Sequence, residues 1–238
     1  MDINFFKKLR VLDGGMGQEL HAKGLVSKGT LWSTSAVLDE KYHDLVIDCH
    51  LAYISAGAEV IITNNFSSRR IRMQQNKVNH LFEFANKKAC ELALKAREKS
   101  KKEIFIGGSI PAQHDTYKED DRERDVIYKA FSEQINCIKD YVDFFYLDVI
   151  SSGREIDIAS EIINECKKPI LVGVHLSKSG KLPSGETITE VIEKYKHSNW
   201  AGLVASCVSM EIAENSILEF KKQNLPFGFK VNLWEDDE

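Results

Sequence analysis

Short apolar runs alternating with longer amphipathic stretches constrain this chain more than any other feature of its sequence. Seven runs rich in Val, Ile and Phe recur: Val11 to Gly14, Val60 to Asn64, Ile104 to Ser109, Phe144 to Ile150, Ile170 to His175, Gly202 to Cys207 and Phe227 to Val231. Each is too short for a helix and nearly unbroken in hydrophobicity, so each reads as a strand covered on both faces. The stretches between them carry helical spacing, as in Leu45, Ile47, Leu51 and Ile54, then Phe82, Phe84, Ala89 and Leu92. Ser151 and Ser152 ahead of Ile156 supply N-cap oxygens, while Gly57 and Lys167-Lys168-Pro169 mark helix ends. The pattern is one of repeated βα units around a parallel sheet. Seven units fit either an open doubly wound sheet or a barrel lacking one unit, and periodicity does not separate the two.

A length of 238 residues suits one barrel-sized domain over 1–238. Charged residues make up 29% of the chain with a net charge of −4, and Lys and Arg are scattered rather than massed, so nothing calls for nucleic acid or an anionic membrane. The opening Met1-Asp2-Ile3-Asn4-Phe5-Phe6-Lys7-Lys8 has no apolar run long enough for a signal peptide or spanning helix, which places the protein in the cytoplasm. The five cysteines, Cys49, Cys90, Cys137, Cys166 and Cys207, are odd in number and widely spaced, and are expected to be reduced thiols.

Ligands of parallel α/β folds sit at the carboxyl ends of the strands, so the polar residues closing each run are the candidates for chemistry. They are Asp13, Gly14 and Gly15; Thr63, Asn64 and Asn65; Gly107, Gly108 and Ser109; then Asp148, His175, Cys207 and Asn232. Each also has an ordinary structural reading. A free cysteine packs as a small hydrophobe, Asp before two glycines forms turns, and a rim histidine is commonly a hydrogen-bonding group. Asp148 stands apart, because a carboxylate directly after Phe-Phe-Tyr-Leu is costly to bury without a purpose. No G-x-G-x-x-G or P-loop spacing is present, which argues against a nucleotide site.

The string Leu12-Asp13-Gly14-Gly15-Met16-Gly17-Gln18-Glu19-Leu20 resembles the opening motif of the homocysteine S-methyltransferase family. Collinear matches follow at Leu31-Trp32-Ser33, Ile62-Thr63-Asn64-Asn65-Phe66, Gly107-Gly108-Ser109-Ile110-Pro111, Lys181-Leu182-Pro183-Ser184-Gly185-Glu186 and Leu225-Pro226-Phe227-Gly228. The resemblance implies a (β/α)8-type TIM barrel, here incomplete, with seven βα units and the eighth strand missing. It implies methyl transfer from an activated donor to the zinc-bound thiolate of homocysteine, giving methionine. Zinc would be the cofactor, held in the family by three cysteines. Val204-Ala205-Ser206-Cys207 matches the first of these, with Ser206 where Asn is usual, and the Gly-Gly-Cys-Cys segment that carries the other two is lacking.

The need for a metal follows from the thiol itself: at a pKa of about 8.5 the attacking thiolate is scarce at neutral pH, and coordination deprotonates it. By the resemblance, Asp13, Gly14, Gly15 and Asp148 bind substrate. Asp148 stands where the family has a Glu that meets the amino group. Cys207 is a zinc ligand, with His175 as a candidate extra one. The partners are then homocysteine and an unidentified methyl donor, and an open barrel edge leaves room for a homo-oligomer or a complementing chain. The rival reading is a non-catalytic truncated homologue that binds a thiol amino acid or a partner.

Overall fold

A computed structural model describes residues 2–232. Its strands are β1 (Val60–Ile62), β2 (Phe105–Pro111), β3 (Phe144–Ile150), β4 (Ile170–Val174), β5 (Trp200–Val208) and β6 (Phe227–Val231), parallel and in chain order in one sheet. Its helices are α1 (Met16–Ala22), α2 (Thr34–Leu38), α3 (His43–Ser55), α4 (Arg70–Gln75), α5 (Phe82–Ser100), α6 (Arg124–Ile138), α7 (Gly153–Glu165), α8 (Ile188–Tyr195) and α9 (Met210–Lys222). The acidic tail 233–238, expected to carry no further strand, lies outside the described residues. Two compact units share the chain: one of residues 9–110 and 132–145, the other of 2–8, 111–131 and 146–232.

In the unit beginning at Leu9, the first apolar run forms no strand, so the described residues hold six strands where seven were expected. Leu12 makes only an isolated parallel bridge to Val60. Val11 O accepts from Glu59 N–H, and Asp13 N–H donates to Val60 O, both at 2.9 Å. The next rung is made by a side chain: the buried Asp13 carboxylate takes the Ile62 N–H at 2.7 Å. A carboxylate at this rung replaces the backbone acceptor and ends the ladder after one bridge.

β1 stops at Ile62, two residues before the expected Asn64, for a related reason. The Thr63 hydroxyl donates to Asn65 Oδ1 at 2.7 Å and accepts from Ser109 N–H at 3.0 Å. Asn65 Nδ2 bonds Asn86 Oδ1 and Ser109 O, while Asn86 Nδ2 caps Ser68 O and Phe82 O. Gln134 Nε2 reaches the same Asn86 oxygen at 3.0 Å. Such satisfied buried networks fix one loop conformation where a strand ladder would otherwise continue.

Helical packing in this unit follows the 3.6-residue period. Met16 and Leu20 of α1, Val46, Ile47 and Cys49 of α3, and Leu92 and Ala96 of α5 share one core, with Leu45 and Leu51 partly buried against it. Phe84 departs from expectation: it is 44% exposed while Phe82, Ala89 and Leu92 are buried. Two residues along an α-helix is a turn of about 200°, which sends Phe84 to the far side from Phe82. Gly57, at φ +108°, ends α3 as expected.

In the unit that holds residues 146–232, helix starts are capped by side chains. Ser152 caps α7, Ser209 caps α9, and Thr187 with Glu190 forms a capping box on α8. β4 and β5 pair in parallel from Ile170–Trp200 to Val174–Ala205, and β5 and β6 from Leu203–Phe227 to Val208–Val231. Phe227 and Phe229 of β6 both pack on Phe220 of α9, at ring separations of 5.9 and 5.7 Å. The period of two along a strand therefore puts Gly228 and Lys230 on the sheet face away from α9.

Candidate functional site

On that face, four neighbouring strands contribute to one layer. Tyr146 of β3 is fully buried, and its hydroxyl is hydrogen-bonded to the Ser206 hydroxyl of β5. The intervening β4 permits this only because residue 173 is glycine: a Cβ there would lie 2.4 Å from Leu147 O, 2.6 Å from the Tyr146 ring and 2.8 Å from Ser206 Oγ. Lys230 of β6 is the register partner of Ser206, and its ammonium lies 5.6 Å from the Tyr146 ring centroid, within cation–π range. Asp148, two residues beyond Tyr146, shares its face of β3 and is half-buried.

Backbone strain falls on the same two strand ends. Val149, next to Asp148, has φ +62°, and Cys207, next to Ser206, has φ +54°. A β-branched residue in the left-handed region is a steric outlier costing about 1–3 kcal/mol, and such strain persists where the surroundings enforce it, commonly at functional sites. At Cys207 the β5–β6 register skips a residue between Ser206 and Val208, as in a bulge. Bulges at barrel rims re-aim side chains and end pairing. Two of the residues singled out in the sequence, Asp148 and Cys207, are therefore each joined to a locally distorted strand end.

His175 follows β4, with its N–H on Ile150 O at 3.0 Å and its ring against Tyr117 at 4.5 Å. Tyr117 is itself left-handed, at φ +66°. Among the described residues no three His, Cys, Asp or Glu side chains are grouped to hold a metal ion. A catalytic zinc normally takes three protein ligands. The described residues therefore offer Cys207 as one donor of the zinc site that the resemblance implies and not a complete set.

A second acidic group lies just beyond β3. Glu155 of α7 is buried and accepts a hydrogen bond from the Ser152 hydroxyl at 2.8 Å. Burial pushes its carboxyl up to about 7, and nearby Asp120 adds to the effect. Asp120 is buried too, but its hydrogen bonds from Arg122, at 2.6 and 2.8 Å, outweigh burial and hold it below the usual carboxylate value.

In the other unit, Asp13 holds the Ile62 N–H as described, and Gly14 and Gly15 lead into α1, with Gly15 as its N-cap. Gly14 packs under Tyr53, where a Cβ would stand 2.8 Å from the ring. Burial, with the Asp13 charge nearby, raises the Tyr53 phenol to about 12, which keeps it neutral. Cys49 and Cys90 are buried thiols whose ionisation burial opposes, as expected of packing cysteines.

Tyr146 and Lys230 are not among the candidates read from the sequence, and Ser206 enters there only as a motif position beside Cys207. The signals were present: Tyr146 sits two before Asp148 in Phe144-Phe145-Tyr146-Leu147-Asp148, and Lys230 breaks Phe227-Gly228-Phe229-Lys230-Val231 on the face opposite the phenylalanines.

A parallel α/β sheet with polar and strained residues at its strand ends is of the class whose ligand sites lie at the carboxyl ends of the strands. The profile of the homocysteine S-methyltransferase family matches residues 10–236. Homocysteine S-methyltransferase 1 of Arabidopsis thaliana is 24% identical over 89% of this chain and 72% of its own length. The S-methylmethionine–homocysteine S-methyltransferase BHMT2 of Pongo abelii is 28% identical over 71% of this chain, and the match spans 44% of that protein. The metallated form of the Escherichia coli homocysteine methyltransferase MmuM superposes with a TM-score of 0.80 at 20% identity, covering 96% of this chain and 85% of that one. The fold is thus of the TIM-barrel type found in MmuM, with six strands among the described residues. The chain belongs to the homocysteine S-methyltransferase family.

Proposed function

We propose that this chain transfers a methyl group to homocysteine, the reaction of its family, and yields methionine. The observation that carries the reading is the left-handed backbone at Val149 and Cys207, which sets Asp148 and Cys207 at distorted ends of β3 and β5. Asp148 receives the substrate's ammonium group, a charge-assisted contact worth about 1.5–3 kcal/mol. The family resemblance assigns the substrate carboxylate to the backbone at Gly14 and Gly15, with Asp13 fixing that turn, and this assignment is part of the proposal.

The homocysteine thiol gives its proton to solvent, and the sulfur lone pair attacks the methyl carbon of an onium donor. The donor's bond to that carbon breaks, and the leaving group departs neutral with the bonding pair. S-Methylmethionine, named for the BHMT2 relative, is a donor of this class. The protein's contribution is orientation and exclusion of water, which are worth most when the reacting atoms are held near contact. Cys207 is read as a zinc ligand of the family type, and no step here depends on the metal. The odd number and wide spacing of the five cysteines support a cytoplasmic location, and among the described residues no helix is long and apolar enough to cross a membrane.

The test is methionine formation from homocysteine and S-methylmethionine. The proposal expects product with the wild-type chain and a loss of at least tenfold with Asp148→Ala. A wild-type chain with no product would leave the binding-module reading in its place.

A further inference from the structure

We propose that Glu186 is a positioning residue for homocysteine binding: its carboxylate fastens the loop between β4 and α8 to the start of α7 and so holds the left-handed exit of β3 that sets Asp148. The inference rests on the homocysteine reading above and deepens it by naming what keeps the substrate-binding strand end in place.

Val149, directly after Asp148, is left-handed at φ +62°, and a β-branched residue keeps such a backbone only where its surroundings enforce it. In the residues that follow, one loop supplies the constraint repeatedly. Ile150 O accepts from His175 N–H at 3.0 Å, Ser151 O accepts from Ser184 N–H at 3.1 Å, and Gly153 N–H donates to Glu186 Oε2 at 2.8 Å. The first two bonds join main chain to main chain. The third is made by a side chain, so it is the one that a substitution can remove while the main chain stays as it is.

Glu186 is built into this place from both sides. Its own loop turns back at Leu182-Pro183-Ser184-Gly185, where Gly185 N–H donates to Leu182 O at 2.8 Å and Leu182 N–H donates to Glu186 O at 2.9 Å. The Ser184 hydroxyl donates to Glu186 Oε2 at 2.7 Å, which orients the carboxylate toward α7. On the other side, Gly153 is the first residue of α7, where free N–H groups and the helix dipole favour a negative charge. Residue 153 is glycine for want of room: a Cβ there would lie 2.5 Å from the Tyr195 ring and 2.9 Å from Glu186 Oε1. Ser152, buried and capping α7 through Glu155 N–H, completes the joint between strand end and helix. Loss of the carboxylate leaves the buried Gly153 without its acceptor and lets the strained segment relax. Asp148 moves with it.

The experiment is a double-mutant cycle on the full-length chain, read by calorimetric binding of homocysteine and of 4-mercaptobutyrate, which has the same thiol and carboxylate and no ammonium group. Glu186→Ala is expected to weaken homocysteine by about tenfold and 4-mercaptobutyrate by no more than about twofold, because the ammonium contact is the one that depends on Asp148. Added to Asp148→Ala, the same substitution is expected to change homocysteine affinity no further. A residue that served stability alone would affect both ligands and both backgrounds alike.

Three results would overturn the proposal while sparing the homocysteine reading: wild-type affinity in Glu186→Ala with the fold intact, equal weakening of both ligands, or the full loss repeated in the Asp148→Ala background. Failure of the wild type to bind homocysteine would overturn both. Circular dichroism and urea midpoints identify a variant that misfolds. If Glu186→Ala does so, Glu186→Asp, which keeps the charge and withdraws the oxygen by one methylene, passes through the same cycle, and wild-type affinity there would overturn the proposal equally.

Discussion

Glu155→Gln is expected to flatten the pH dependence of stability in a way that can be worked out beforehand. Glu155 lies in the first turn of α7, buried, with the Ser152 hydroxyl on one carboxylate oxygen and Glu119, Asp120 and Arg122 as its charged neighbours. Burial raises its folded pKa from 4.5 to about 7. Below pH 4.5 the carboxyl is neutral in both states and its contribution is fully present. As pH rises through 7 the folded state must give up a proton that the unfolded chain has already lost, and the contribution disappears. A shift of this size amounts to about 3 kcal/mol at 1.36 kcal/mol per unit. Gln keeps the oxygen that accepts from Ser152 and cannot ionise, so the variant should match wild type near pH 5 and exceed it by about 3 kcal/mol at pH 8. Urea unfolding of both proteins at pH 5, 6, 7 and 8 measures the difference, in which every other titrating group cancels. A difference that stays flat across that range would refute the argument that this carboxyl is buried and protonated.

Other substitutions probe the scaffold. His50 in α3 is fully buried, burial depresses its pKa to about 4, and neither ring nitrogen has a hydrogen-bond partner among the described residues. Its contribution to stability is present above pH 6.5 and fades as the pH falls toward 4; His50→Leu should remove that acid sensitivity and raise stability at pH 7 by about 1–3 kcal/mol, read by urea unfolding. Gly173→Ala places a methyl group against Leu147 O, Tyr146 and Ser206, so it should cost about 1–3 kcal/mol in urea unfolding and weaken homocysteine binding through the displaced Tyr146.

The parallel α/β plan was legible because strands covered on both faces read as continuous apolar runs, and five of the seven runs overlap β2 to β6 closely. The first run formed no strand and the second outran β1 by two residues for one physical reason: polar side chains took over backbone rungs. The Asp13 carboxylate occupies the Ile62 N–H, and Thr63 and Asn65 draw the chain into a side-chain network, neither of which hydrophobicity can report. Asp148 and Cys207 were found by position at strand ends. The Tyr146–Ser206 pairing was missed because it depends on what lies across β4, and a glycine such as Gly173 gives no sign in sequence of which neighbour approaches it. The left-handed turns at Val149 and Cys207 were equally hidden, since Val and Cys are not residues from which such a backbone is inferred.

Equilibrium binding of homocysteine to the wild-type chain and to Asp148→Ala tests the central claim most directly, that the distorted end of β3 presents a carboxylate to the substrate's ammonium group. The account predicts saturable binding by the wild type and affinity about 10–100-fold weaker in the variant, the loss of one charge-assisted hydrogen bond. Equal affinity in both proteins, with the fold of each intact, would contradict it.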